Sequence, residues 1–535
     1  MRAIIILLLL PGFSVFSCWT SATELSPQQR RGQQIYLTGK SPSDQEINAR
    51  LISAGVQLPA SLVPCVNCHN YDGRGIPEGG IKPADIRWHQ LTKPYGVTHS
   101  SGHHHQPYDK RSLIKAIGLG IDPAGQALNP VMPRYQLTHQ DMNDLVAFLR
   151  GLGTYSVTGI DDANINIGVI LPSANPTKAM AVRQILDAYF TDLNEQGGIY
   201  QRQIQLVFID PPATHNQMEL DEFKRRLDKS NVFAFVASHL GGIEAIMADF
   251  TQSSGAPVIG AFSPTPLLAF PLNRYIFYLL SGHKRQTLAL LIFANKINFP
   301  APSETQSRSS AATRAKSAIL IELKSDLDAL PPYLIEQQER HPELEIIEVD
   351  AIIAAGHLKS LLTELRQKQL DVIYLLVSPP TQAQFFKLAA AIDWWPYVLI
   401  PGSQMSGDLF NSPLQFDQRI FLAMPNLPLD YKQAGLTRYR RLQESHQVTS
   451  QYRNSQLLAI ASASLLTEGL TKIGREMEQQ KLVAMVEGLY RYDTELTQAI
   501  SYGPNRRLGA SGAYIVTIDL INKTIRPTSD WLEIN

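Results

Sequence analysis

Cysteine is almost absent: three occur in 535 residues, at positions 18, 65 and 68, and none follows. Everything after residue 68 must therefore fold without disulfides and without a thiol nucleophile. An excess of charge of either sign is also missing, since Lys+Arg and Asp+Glu both number 48. No net field draws the chain to nucleic acid, and nucleic acid is not an expected partner. Gly-x-Ser-x-Gly, His-Glu-x-x-His and Walker-type phosphate loops do not occur, so the usual hydrolase and nucleotide-handling chemistries have no carrier. No catalytic residue is expected, and the chain reads as a carrier or binder.

What is present begins with size. At 44% hydrophobic and 18% charged, the chain can build well-packed cores, and its length exceeds what one core organises, so two or three globular units are expected. Arg2, the apolar run Ala3 to Leu10 and the small residues Thr20, Ser21 and Ala22 read as a signal peptide over 1–22, which directs the chain to the periplasm. The run is too short to span a bilayer. Val15-Phe16-Ser17-Cys18 leaves lipid anchoring through Cys18 as the alternative, with bulky Phe16 where a small residue is usual.

Cleavage after Ala22 leaves two cysteines, in Cys65-Val66-Asn67-Cys68-His69. The CxxCH spacing lets two thiols bond to two vinyl groups on one haem edge while the next imidazole reaches the iron, so Cys65 and Cys68 are expected to hold one covalent haem c, with His69 as an axial ligand. A zinc half-site or a redox CxxC is the alternative; no second Cys pair exists to complete a zinc site. For the sixth ligand, Asn129-Pro130-Val131-Met132-Pro133-Arg134-Tyr135 offers the Met132 thioether between two prolines. Otherwise Met132 is a packing residue, with water or one of His89, His99, His103, His104, His105 and His139 on the iron. The run His103 to His105 reads as a solvated loop. Thr138 is placed to cap a helix whose apolar face carries Met142, Leu145, Val146, Phe148 and Leu149.

On these features, residues 25–153 resemble the class I cytochrome c family: CxxCH, Met-Pro-x-Tyr, the closing Leu-Val-Ala-Phe-Leu helix, and Gly32-Gln33-Gln34-Ile35-Tyr36-Leu37-Thr38-Gly39. The resemblance implies that Gly32 lets the first and last helices cross closely, and it implies electron transfer through His/Met-ligated haem, without catalysis at the iron. The chain departs from the family in Lys40 to Pro64, which separates the first helix from CxxCH and is expected to form an extra loop.

Residues 154–163 read as a linker. From Ile165-Asn166-Ile167-Gly168-Val169-Ile170 onward, short apolar runs alternate with amphipathic stretches: strands near 204–209, 232–236 and 258–259, then 318–321, 346–349, 372–376 and 398–400, with helices near 180–193 and 218–227. That alternation implies parallel sheets, here two doubly wound lobes over 164–535. The stretch Asn298 to Lys316, rich in Ser, Ala, Pro and Thr, reads as a surface insertion. Trp394-Trp395-Pro396-Tyr397 invites an aromatic cage, but a helix end running into a strand ordinarily buries such residues as packing. Residues 455–473 and 481–489 read as closing helices. The fold expected is multidomain: a small all-α domain, then a two-lobed α/β domain.

Asn194-Glu195-Gln196-Gly197-Gly198-Ile199 and Gly255-Ala256-Pro257-Val258-Ile259-Gly260 resemble periplasmic binding proteins of the branched-chain amino acid type, which close two lobes on a solute. The matching turns hold Ser238, Gly241, Gly242 and Ser263 in one lobe and Ser378 and Ser403 in the other. These are the expected ligand-binding residues, unless the serines merely shape turns. The amino-acid-binding members place hydroxyls where Gly241 and Pro264 stand and an acid where Gly402 stands. A buried amine without its acid costs several kcal/mol, so the solute is expected not to be a free amino acid. The resemblances together imply an exported electron carrier whose large domain docks a redox partner, such as a dehydrogenase or another cytochrome, or senses a small solute. The alternative is a receptor for an ABC permease with an accessory haem.

Overall fold

The computed structural model describes residues 25–70, 73–75, 80–98, 102–152, 158–214, 216–297, 316–323, 332–342, 344–350, 355–475 and 477–534. The signal segment 1–22, Cys18, His99 and residues 298–315 lie outside them. The described residues fall into two compact units, one ending at Leu152 and the other starting at Thr158.

In the first unit, Ser26 and Gln29 form a capping box that starts α1 (Pro27–Thr38), and Gly39, at φ 65°, stops it. Then follow β1 (Asn48–Leu51), β2 (Val56–Pro59), α2 (Cys65–His69), α3 (Trp88–Leu91), β3 (Val97–Thr98), β4 (His104–His105), α4 (Lys110–Leu119), β5 (Arg134–Gln136) and α5 (His139–Leu149). Thr138 caps α5 as expected, its hydroxyl accepting from Asp141 N–H. The buried apolar residues of α5 pack with Ile35 and Tyr36 of α1 in one core. Residues 40–64 are not a plain loop: β1 and β2 form a hairpin, and β1 also pairs antiparallel with β5, with Ala49 opposite Tyr135. The helical unit thus carries a small sheet, built by a pairing distant in sequence. Nor is His103 to His105 a solvated loop. His105 is buried, β4 pairs with β3, and His103 Nε2 lies 2.5 Å from Asp122 Oδ2. A carboxylate and a neighbouring strand hold His103 and His105, while His104 stays exposed.

The second unit contains β6 (Asn164–Val169), α6 (Pro176–Glu195), β7 (Gln203–Phe208), α7 (Gln217–Lys229), β8 (Ala234–Val236), α8 (Glu244–Ser254), β9 (Val258–Ala261) and β10 (Ile276–Leu280). The second lobe follows with α9 (His283–Lys296), β11 (Ser317–Leu323), α10 (Pro332–Arg340), β12 (Leu344–Asp350), α11 (Ala355–Gln367), β13 (Val372–Leu376), α12 (Pro379–Ala391), β14 (Tyr397–Pro401) and β15 (Ile420–Met424). The chain closes with α13 (Gln433–His446), α14 (Arg453–Lys472), α15 (Gln479–Glu487), β16 (Leu508–Ala510), β17 (Gly512–Asp519), β18 (Thr524–Pro527) and β19 (Leu532–Glu533). The first sheet runs β16-β10-β9-β8-β6-β7, and the second runs β12-β11-β13-β14-β15-β17-β18. In each, the second strand lies outside the first and the next three follow on the other side, a doubly wound order whose ligand position is the carboxyl edge at the reversal. The late strands were not foreseen: β16 extends the first sheet in parallel, and β17 closes the second antiparallel to β15.

Gly159 and Ile160, assigned by composition to the linker, pack with this unit. Gly159 N–H donates to Asn231 Oδ1 at 3.0 Å, and Ile160 bridges Ile165. Trp394 is buried in the second-lobe core, and Trp395 stacks edge-on against Phe416, so these rings are packing. No described helix is long and apolar enough to cross a membrane.

Candidate functional site

The first site grows from one helical turn. Pro64 precedes α2, and Asn70, at φ 61°, ends it with its N–H on Val66 O. Residues three apart on such a turn share a face, so Cys65 and Cys68 stand side by side with His69 next. His69 Nδ1 lies 3.1 Å from Ala84 O. A carbonyl only accepts, so the proton belongs on Nδ1 and the Nε2 lone pair is left available; this bond orients a metal-binding imidazole. Burial lowers the His69 pKa, opposed by that same bond, so the ring is neutral, as ligation requires. Burial pushes the Cys65 thiol up to about 12, which disfavours the thiolate that disulfide exchange or zinc would use.

Two hydrogen bonds tie the surrounding elements to the ends of this turn. Tyr36 Oη donates to Asn70 O at 2.5 Å, and Tyr135 Oη to Val63 O at 2.6 Å. Gly32 makes the α1–α5 crossing possible, because a Cβ there would lie 1.9 Å from Asp144 O; Arg31 then grips the Asp144 carboxylate at 2.7 Å. Met132 is half-buried on a bend whose carbonyls converge on one cation. Arg134 donates to Met132 O at 2.5 Å, Leu128 O at 2.9 Å and Asn129 O at 3.3 Å. Arg134 is 8% exposed, and burial lowers its pKa. Gly120 leaves room for it, since a Cβ there would meet its Nε at 1.7 Å.

The second site lies at strand ends of the two lobes. Ser238 is fully buried, its Oγ accepting from Ile170 N–H at 3.1 Å and donating to Val236 O at 3.2 Å. Gly241 abuts Pro264, 3.3 Å from its would-be Cβ. Gly242 N–H and Ser263 Oγ both donate to Glu244, the former at 2.8 Å. In the second lobe, Ser378 N–H donates to Glu322 Oε2 at 2.8 Å, while Ser403 N–H and Oγ donate to Gln286 Oε1 at 2.9 and 2.8 Å. The start of α9 links the lobes: His283 N–H donates to Pro264 O at 2.7 Å, and Gln286, one turn on, holds the Ser403 turn. The structure thus joins 238–244 with 261–265, and joins both lobes' turns through α9. Each of the four serines already has a partner within the chain.

Residues 55–153 match the family model for cytochrome c, and residues 164–315 match that for periplasmic binding protein. The chain joins a cytochrome c domain to a periplasmic-binding-protein domain. The cytochrome c domain carries covalently bound haem c and with it electron transfer, and the donor set on α2 suits that cofactor: two thiols on one face and a neutral, oriented imidazole. Solved structures similar to the binding-protein domain include a fatty acid ABC transporter substrate-binding protein from Thermomonospora curvata, at 16% identity and TM-score 0.52, covering 70% of this chain and 94% of that one. A branched chain amino acid ABC transporter from Thermus thermophilus with bound valine matches at 15% and 0.53, covering 70% and 97%. A substrate-binding protein of an ABC transporter from Aeropyrum pernix matches at 14% and 0.54, covering 69% and 96%. Such likeness shows the fold. No curated protein matches the chain.

Arg134, Glu244 and Gln286 escaped the reading of the sequence. An arginine between Pro133 and Tyr135 has no periodicity to mark it as buried. An acid opening a helix is ordinarily a solvated complement to the helix dipole, and a glutamine inside an apolar helix gives no sign of its target. Only the Met-Pro-x-Tyr phrase pointed at Tyr135.

Proposed function

We propose that this chain is an exported, periplasmic electron-transfer protein, delivered by the signal peptide at 1–22. Its cytochrome c domain spans 25–153 and is followed by a linker and by binding lobes over 164–535. Cys65 and Cys68 form the two thioether bonds, and His69 and Met132 are the axial ligands. The haem supplies one-electron redox chemistry. The chain's own residues do the rest: Ala84 O fixes the His69 tautomer, Tyr135 anchors β5 beside α2, and Arg134 holds the bend that carries Met132. The observation that carries this reading is the His69–Ala84 bond, within the one turn that also bears both cysteines.

The binding-protein domain docks an exported redox protein, a dehydrogenase or another cytochrome, or senses a small solute other than a free amino acid. The similarity to ABC substrate-binding structures supports a second reading, as a receptor for an ABC permease with an accessory haem. Melting shifts of the purified haem protein with periplasmic solutes, in oxidised and reduced states, separate the two. A solute response that depends on oxidation state marks a coupled sensor; a response independent of it marks a receptor; none leaves a docking scaffold. Met132→Ala and Arg134→Gln should both lose the Met–iron charge-transfer band. Retention of the band in Met132→Ala would exclude Met132 as the ligand.

A further inference from the structure

At the strand ends of the first lobe, the hydrogen-bond donors converge on a group that the chain supplies itself. Glu244 opens α8 and is 7% exposed. Its Oε2 accepts from Gly242 N–H at 2.8 Å, and its Oε1 accepts from Ser263 Oγ and, at 3.0 Å, from Thr265 Oγ1. These donors come from two separate turns, 242–244 and 263–265, that lie at the carboxyl edge of the sheet. Removing a carboxylate from water costs several kcal/mol unless such donors replace the lost hydration. The same donors would suit the carboxylate of a solute, and a second carboxylate beside Glu244 would meet like charge in a partly desolvated place.

The imidazole of His239, in the 238–242 turn, is enclosed. His239 Nδ1 is buried without a hydrogen-bond partner, and its ring lies 5.0 Å from that of Phe262, the residue before Ser263. Burial, reinforced by the charge of Lys178, pushes the His239 pKa down to about 3, so the imidazole is neutral in any ordinary exported compartment.

We infer that Glu244 determines the solute class at these strand ends: it fills the first lobe's anion cradle, so that an accepted solute brings no carboxylate there. This deepens, and rests on, the reading of the domain as solute-binding.

The test uses the full-length, haem-loaded protein, with sodium acetate as the probe and sodium chloride at matched ionic strength as the control. Wild type is expected to show no saturable acetate shift in the melting of its binding-protein domain. Glu244→Ala should melt several degrees lower and recover most of that loss with acetate, saturably, and not with chloride. Should Glu244→Ala not fold, Glu244→Ser, which also vacates the cradle and leaves no charge in it, should show the acetate response. A saturable acetate response of wild type overturns the inference, as does a variant with native far-UV circular dichroism that ignores acetate. Failure of the solute-binding reading looks different: no solute shifts wild type, while the variant still answers acetate.

Discussion

In the cytochrome c domain, the residues proposed to bind haem covalently and ligate it on one side occupy one helical turn, Cys65 to His69. In the binding-protein domain, the groups that meet come from 238–244, 263–265, 283–286 and 403, brought together by two sheets and a bridging helix. The first arrangement is local, and its geometry follows from the rise and rotation of a single turn wherever that turn is placed. The second exists only once the parallel strands have aligned their carboxyl ends. A local site can therefore be lost while its surroundings persist, whereas a dispersed site shares its fate with the packing around it.

The strongest test of this contrast is the double change Cys65→Ala with Cys68→Ala. It should abolish haem that survives denaturing electrophoresis while leaving the melting transition of the binding-protein domain in place. Loss of that transition as well would break the contrast. Next in size is Gly32→Ala, which places a methyl group 1.9 Å from Asp144 O. It should destabilise the cytochrome c domain by about 3 kcal/mol through overpacking, read from its thermal or denaturant transition. A loss well under ~1 kcal/mol would mean that the α1–α5 crossing yields more readily than its backbone contact implies.

A smaller effect per pH unit concerns His239. Its folded pKa, about 3, lies below the roughly 6.5 of an unfolded histidine. Between these values the unfolded chain binds a proton that the folded chain refuses, so stability falls as pH falls, by at most about 1.4 kcal/mol per pH unit from this group. His239→Gln should flatten the stability profile of the binding-protein domain between roughly pH 6.5 and 4. An unchanged slope would show that the ring finds a partner or water in solution.

The division between local and dispersed also explains how much could be read in advance. The strand at 372–376 announces itself as an apolar run because it is buried on both faces and has no polar side to alternate, while 165–170 and 204–209 are marked by apolar residues interrupted only by Asn166 and Gln205, whose side chains are not buried. The hairpin of residues 48–59 did not, because its stability depends on β5, far along the chain. Strands β16 to β19 were hidden for a related reason: each completes a sheet laid down much earlier. Ser263 and Ser403 lie just past strand ends, and their partners, Glu244 and Gln286, are not apparent from residue type.

Periodicity, capping residues and the CxxCH spacing carried the domain order, the doubly wound lobes and the helical turn of Cys65–His69, since each depends on neighbours within a few positions. Folding alone settled which polar groups remain open. The Arg134 clamp on the Met132 bend, the Glu244 carboxylate in the first lobe's cradle and the unpartnered His239 nitrogen arise from contacts between separate elements. Whether a buried donor or acceptor is satisfied depends on distances of a few tenths of an ångström across those elements, and the order of residues along the chain does not specify them.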